Sequence, residues 1–184
     1  MADAEEIRGA KPRYWEDITI GDTLKPVVQG PLTIWDTVIE IQGFGVAVLP
    51  MREVRRQTPD RIMIDPVTNV PHKSIEIHLS DKSAKISHLP SSTILGVTAE
   101  HFLSRLITNW MGDDGFLRRF HWLTLAHAPL GDTIFGQGKV TRKYIDENSN
   151  HLVDLEVWIE SNRGNISDVA KATVHLMSKA DVFK

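Results

Sequence analysis

Cysteine is absent from the 184 residues, and this excludes disulfides, thiol nucleophiles and cysteine-ligated zinc together. Long apolar runs are missing too. No stretch approaches the ~20 residues a membrane helix needs, and the opening "MADAEEIRGAKPRYW" has no apolar signal core. No membrane partner is expected, and a cytoplasmic location fits. The formal net charge of −3 comes without a dominant basic stripe, which argues against nucleic acid as a partner. What remains is a chain of ordinary apolar content, long enough to bury roughly two-thirds of its unfolded surface. Residues 1–13 are polar and expected to be mobile. A single domain is expected over 14–184.

The segment "YWEDITIGDTL" (14–24) reads as a short strand closed by a turn at Gly21-Asp22. Beyond it, Thr33 suits an N-cap, Asp36 suits a first turn, and Ile34, Val38, Ile41 and Gln42 recur at helical spacing until Gly43 and Gly45. Over 46–72, Pro59, Pro66 and Pro71 oppose a long helix or a central strand, so an irregular, partly extended insertion is predicted. The clearest helix is 97–112. Ala99, Phe102, Leu103, Leu106, Ile107 and Trp110 form one apolar stripe, with Thr98 as N-cap and Gly112 as stop. From residue 121 the period changes to two. "FHWLTLAHAPL", "DTIFGQGKVTRKYI", "HLVDLEVWIES" and "DVAKATVHLM" read as strands, the last three as an antiparallel meander with one buried face. A helix packed on that face makes a two-layer α+β domain.

This order of elements resembles the hot-dog fold. "YWEDITIGDTL" followed by "GPLTIWDTV" is similar to the opening of MaoC-like acyl dehydratases and (R)-specific enoyl-CoA hydratases. "PLGDTIFGQGKVTRK" and "LVDLEVWIESNRGNISDVAKATVHL" are similar to their closing strands, and "TNWMGDDGFLRR" (108–119) looks like a subgroup string. The resemblance spans about 14–178. It implies an antiparallel sheet wrapped around a central helix at about 97–111.

The family's hydratase motif is Asp, any residue, Asn-Pro, an aliphatic residue, His, five residues, then Ala or Ser. "IHLSDKSA" supplies Ile77, His78 and Ala84, but Lys73 stands where the family has its catalytic Asp, and Glu76 where it has Pro. The family's Gly-Asp after the first helix is missing as well. Hydration of a trans-2-enoyl thioester needs an activated water and a proton for the α-carbon, work that an Asp–His pair shares in the family. His78 is thus the candidate acid/base, and Asp81 and Asp65 are candidate substitute carboxylates. Gly96, near the start of the core helix, is the candidate thioester oxyanion contact. Arg52, Arg55 and Arg56 are candidates for coenzyme A phosphates.

Each has a bland alternative. His78 could fix a turn through Ser80 or Asp81. Asp81 and Glu76 could be solvated, and the arginines could line a solvated loop. Pairs His72/His78 and His121/His127 lack a third ligand at metal spacing, so neither metal nor cofactor is expected. Three functions stay open: an acyl-CoA hydratase or dehydratase, possibly degenerate; a non-catalytic acyl-CoA-binding subunit paired with a catalytic hot-dog partner; and a thioesterase using Glu100. Loss of the Asp implies weakened hydration with thioester binding retained. The meander's sheet edge implies a homodimer or a heteromer with another hot-dog subunit.

Overall fold

The computed structural model describes residues 5–43 and 51–181, so Gly45 lies outside the described residues. In chain order its elements are β1 (Val27–Gln29), α1 (Ile34–Gly43), α2 (Met51–Gln57), β2 (Ile62–Ile64), β3 (Pro71–Lys73), α3 (Asp81–Ile86), α4 (Gly96–Met111), β4 (Phe116–Thr124), β5 (Ile134–Ile145), β6 (His151–Ser161) and β7 (Ile166–His175). The chain divides into two compact units. One comprises 1–29, 99–126 and 133–184; the other comprises 30–98 and 127–132.

The first unit holds a five-stranded antiparallel sheet in the order β1-β5-β6-β7-β4. Its cause is the period-two pattern of the long strands. Val153, Leu155, Val157 and Ile159 are each at most 1 % exposed, and Ala170, Ala172, Val174 and Leu176 at most 4 %. The edge strand β4 begins at Phe116 and ends at Thr124, earlier at both ends than the predicted strand. His127 therefore lies beyond the strand that carries His121.

The α4 stripe is buried as predicted. Ala99, Phe102, Leu103, Leu106, Ile107 and Trp110 are at most 3 % exposed. A Cβ on Gly136 of β5 would come 3.0 Å from the Phe102 ring and 2.8 Å from Val27, so this close approach requires glycine. Arg105 of α4 donates to the Val28 carbonyl at 3.1 Å and to Glu5 Oε1 at 3.0 Å. An antiparallel sheet with a central helix of this kind is the hot-dog fold. The helix starts at Gly96, so Thr98 is an interior residue and not the N-cap. Gly112 ends it at φ +77°, where a side chain is disfavoured.

Residues 5–13 make several hydrogen bonds. Glu5 Oε1 accepts the Val28 N–H at 2.8 Å, Glu6 pairs with Arg8 and Arg13 at 3.0 Å each, and Arg13 Nε donates to the Trp110 carbonyl at 2.6 Å. The expected strand over 14–24 is a 3-10 turn at Trp15–Asp17 with isolated bridges at Tyr14 and Thr23.

In the second unit α1 forms where predicted, with the capping roles reversed. Asp36 Oδ2 accepts both the N–H and the hydroxyl of Thr33, at 2.6 and 2.7 Å. The described part of the predicted irregular insertion, 51–72, is more regular than its prolines suggested. It contains α2 and the β2–β3 ladder, paired Ile62 to Lys73 and Ile64 to Pro71. Pro59 opens a 3-10 turn, Pro66 sits between the two strands and Pro71 opens β3, all places where a missing N–H breaks no ladder.

Leu106→Ala is expected to cost ~2–5 kcal/mol in urea denaturation, as for a core truncation. Ile39→Ala, on the exposed face of α1, should stay within about 0.5 kcal/mol. Equal effects at the two positions would refute α4 as the core helix.

Candidate functional site

In the second unit two candidate residues, His78 and Asp81, bond to one buried stretch, Ser92–Ile94, at most 5 % exposed. A buried peptide group must find a partner inside the protein. Ser92 donates its N–H and its hydroxyl to Asp81 Oδ1 at 2.8 and 2.6 Å, and its carbonyl accepts the Leu130 N–H at 2.9 Å. Thr93 bridges to Pro129, and the Ile94 N–H donates to the Ala128 carbonyl at 3.0 Å. The chain then runs into Gly96, the first residue of α4.

His78 attaches to this stretch. It ends the 3-10 turn Ser74–His78, whose Glu76 carbonyl accepts the N–H groups of Leu79 and Ser80 at 3.0 Å each. Its Nδ1 lies 3.0 Å from the Thr93 carbonyl oxygen. A carbonyl only accepts, so Nδ1 carries the proton and Nε2 keeps its lone pair. Burial pushes the imidazole below its ordinary value; backbone hydrogen bonding to Thr93 and Ile94 pulls it partly back, and the proximity of His127 lowers it further. The Nδ1 of His78 is thus fixed on the Thr93 carbonyl.

The candidate carboxylates are committed elsewhere. Asp65, 2 % exposed, accepts from Lys82 Nζ at 2.7 Å, from the Thr68 hydroxyl at 2.7 Å and from the Val67 N–H at 2.8 Å. The Lys82 ammonium and these donors hold it well below the usual carboxylate range. It fastens the turn between β2 and β3. Asp81 is lowered by the Ser92 hydroxyl and N–H. Among the described hydrogen bonds, no carboxylate reaches the His78 ring.

Lys73 closes β3, and its N–H donates to Glu76 Oε1 at 3.1 Å. The other Glu76 oxygen accepts from His72 Nδ1 at 2.8 Å. Burial pushes the Glu76 carboxyl up, but His72 and the Lys73 N–H outweigh it and leave it lowered. The sequence reading missed this dyad, although the four-residue spacing of His72 and Glu76 was visible.

Arg52, Arg55 and Arg56 are carried by α2, and Arg56 pairs with Glu53 at 2.8 Å. Gly96 stands at the first position of α4, and Thr98 Oγ1 is buried there without a partner among the described residues. Among those residues no group of three or more His, Asp or Glu is placed to hold a metal ion, and no helix is long and apolar enough to cross a membrane.

No family model and no curated protein sequence matches the chain. Solved structures do. The R-hydratase PhaJ1 of Pseudomonas aeruginosa superposes with a TM-score of 0.67 at 11% identity, over 92% of this chain and 89% of its own. The (R)-hydratase of A. caviae involved in PHA biosynthesis gives 0.64 at 12%, over 88% and 99%. The ChsH1-ChsH2 complex of Mycobacterium tuberculosis gives 0.58 at 13%, over 86% and 98%. At such identities these likenesses establish the fold.

The lowered His78 sets a sign for stability against pH. The unfolded imidazole binds a proton near its ordinary ~6.5, and the folded one only at lower pH. The stabilisation is complete above ~6.5 and is lost as pH falls toward and through the folded value. His78→Gln should flatten this part of the stability profile, and NMR titration should find the folded His78 midpoint below ~6.5. A midpoint at or above that value would refute the burial argument.

Proposed function

We propose that the chain is a MaoC-like hydratase or dehydratase of enoyl and 3-hydroxyacyl thioesters, with His78 as an acid/base and no metal or redox cofactor. The observation that carries this is the fixed tautomer of His78, which is bonded to Thr93 on the segment leading to the start of α4 and leaves its Nε2 lone pair as the base. The free N–H groups of a helix start suit the thioester oxyanion, with Gly96 the candidate contact. Arg52, Arg55 and Arg56 are retained as candidates for coenzyme A phosphates. Hydratases among the structures that share the fold lend support.

A second reading is a non-catalytic acyl-CoA-binding subunit whose partner supplies the acid/base pair. It is favoured by Lys73 at the Asp position and by the engagement of Asp65 and Asp81 in fastening loops. Either reading calls for assembly with a second hot-dog subunit, of the same or another chain. Among the described residues β4 pairs only with β7, which leaves an open sheet edge, and Phe116 and Leu123 on it are 61 % and 52 % exposed. Pairing with a second subunit would cover such an edge.

Purified protein is expected to bind acyl-CoA and to hydrate trans-2-butenoyl-CoA or a longer enoyl-CoA. His78→Gln should lower kcat/KM by ~100-fold or more, with unchanged circular dichroism. Thioester binding without turnover, and activity that appears only with a second hot-dog chain, would replace the first reading by the second. Light scattering should give a dimer or a larger even-numbered assembly; a stable monomer at low micromolar concentration would remove the edge-pairing argument.

A further inference from the structure

Among the side chains with no role so far, His72 stands out. Its Nδ1 donates to Glu76 Oε2 at 2.8 Å, and the other oxygen of Glu76 is held by the Lys73 N–H at 3.1 Å. The carboxylate therefore accepts at both ends and orients the ring. Because Nδ1 is the donor, the lone pair lies on Nε2. That atom is buried and has no hydrogen-bond partner among the described residues, although the side chain as a whole keeps 18% of its exposure. A buried acceptor without a partner is costly and uncommon, and calls for an explanation. A fully structural histidine would have both nitrogens satisfied. His72 has one nitrogen fixed and the other buried without a partner among the described residues.

Its position adds a second observation. The resemblance puts the missing carboxylate at Lys73, the next residue in the chain. A carboxylate-backed imidazole carries the same single negative charge as a carboxylate when its ring is neutral. It presents its basic atom farther along, by the width of the ring. A water about to add to an alkene needs acceptors for its two hydrogens. His78 offers one Nε2 lone pair, and the His72–Glu76 dyad offers another.

We propose that His72, backed by Glu76, is a second catalytic base: its Nε2 accepts one hydrogen of the water that adds to an enoyl thioester, while His78 Nε2 accepts the other. This rests on the hydratase reading. In the step, the water oxygen bonds to C3, and the π pair moves through C2 onto the thioester oxygen. His72 Nε2 takes the water's proton, and Glu76 stabilises the resulting imidazolium. The enolate then collapses and C2 receives that proton from Nε2. Both histidines finish neutral, H and OH have been added, and no other reactant is consumed.

The test compares His72→Gln, Glu76→Gln, His78→Gln and the His72→Gln/His78→Gln double variant on trans-2-butenoyl-CoA and trans-2-octenoyl-CoA. Circular dichroism and the thermal midpoint are read alongside. His72→Gln is expected to lower kcat by ~100-fold, with little change in KM, as for loss of a general base. The double variant should be scarcely slower than the slower single variant, since residues acting as a unit are non-additive. Glu76→Gln removes the backing charge while keeping the side-chain shape, and should also lower kcat; it serves as the decisive variant if His72→Gln does not fold. In 15N-labelled wild type, the His72 Nε2 resonance should move on adding 3-hydroxybutanoyl-CoA. If His72→Gln and Glu76→Gln retain the wild-type rate while His78→Gln loses it, the His72 role is overturned and the hydratase reading stands. If the wild type hydrates neither substrate and the His72 resonance stays fixed, both are overturned.

Discussion

Ser92, Thr93 and Ile94 lie out of contact with water, and the partners their peptide groups find assemble the candidate site. Ser92 turns to Asp81 on one side and Leu130 on the other, Ile94 turns to Ala128, and the Thr93 carbonyl takes His78. A buried backbone group left unpaired costs roughly as much as a lost hydrogen bond, about 1–3 kcal/mol. Each of these contacts is therefore held by more than its own net strength. The tautomer of His78 is set by the Thr93 contact and needs no separate device.

The electrostatics of the second unit reflect the same economy of partners. Apart from the ten-residue α1, its helices and strands are short. Runs of three to seven residues, such as β2, β3, α2 and α3, leave a large share of their N–H groups outside any ladder or helix. Carboxylates are strong acceptors for such groups. Asp65 closes the β2–β3 turn, Asp81 holds Ser92, and Glu76 holds the N–H of Lys73. All three are lowered in pKa, and in each case hydrogen bonds made to the ionised form contribute.

Legibility in the sequence tracked element length. α4 and β5 to β7 were readable because ten or more residues repeat one period, which local preferences rarely override. β2, β3 and α2 were not, because three to seven residues carry no period, and the neighbouring prolines argued against order. The prolines occupy strand and turn starts, where they are tolerated. The bond from Arg105 to Glu5, a hundred positions away, is one that no local reading detects. Within the candidate site, His78 was found through its spacing to Ala84. Thr93 and His127 were not, since their roles arise from backbone carbonyls and tertiary neighbours, and the His72–Glu76 pair was overlooked although its four-residue spacing is local.

The division of labour between acids and imidazoles has a physical reason. An ionised carboxylate only accepts, and once both its oxygens serve backbone or side-chain donors its capacity to act as a base is largely spent. Glu76 is in that state, and Asp65 accepts at both oxygens as well. An imidazole has two unlike nitrogens. One can donate and fix the ring, and doing so assigns the lone pair to the other. A fold that must fasten many short elements can thus spend its carboxylates on the loops and still keep basic atoms available, provided those atoms belong to histidines. His78 on the Thr93 carbonyl and His72 on Glu76 are two cases of this arrangement, one fixed by the backbone and one by a carboxylate.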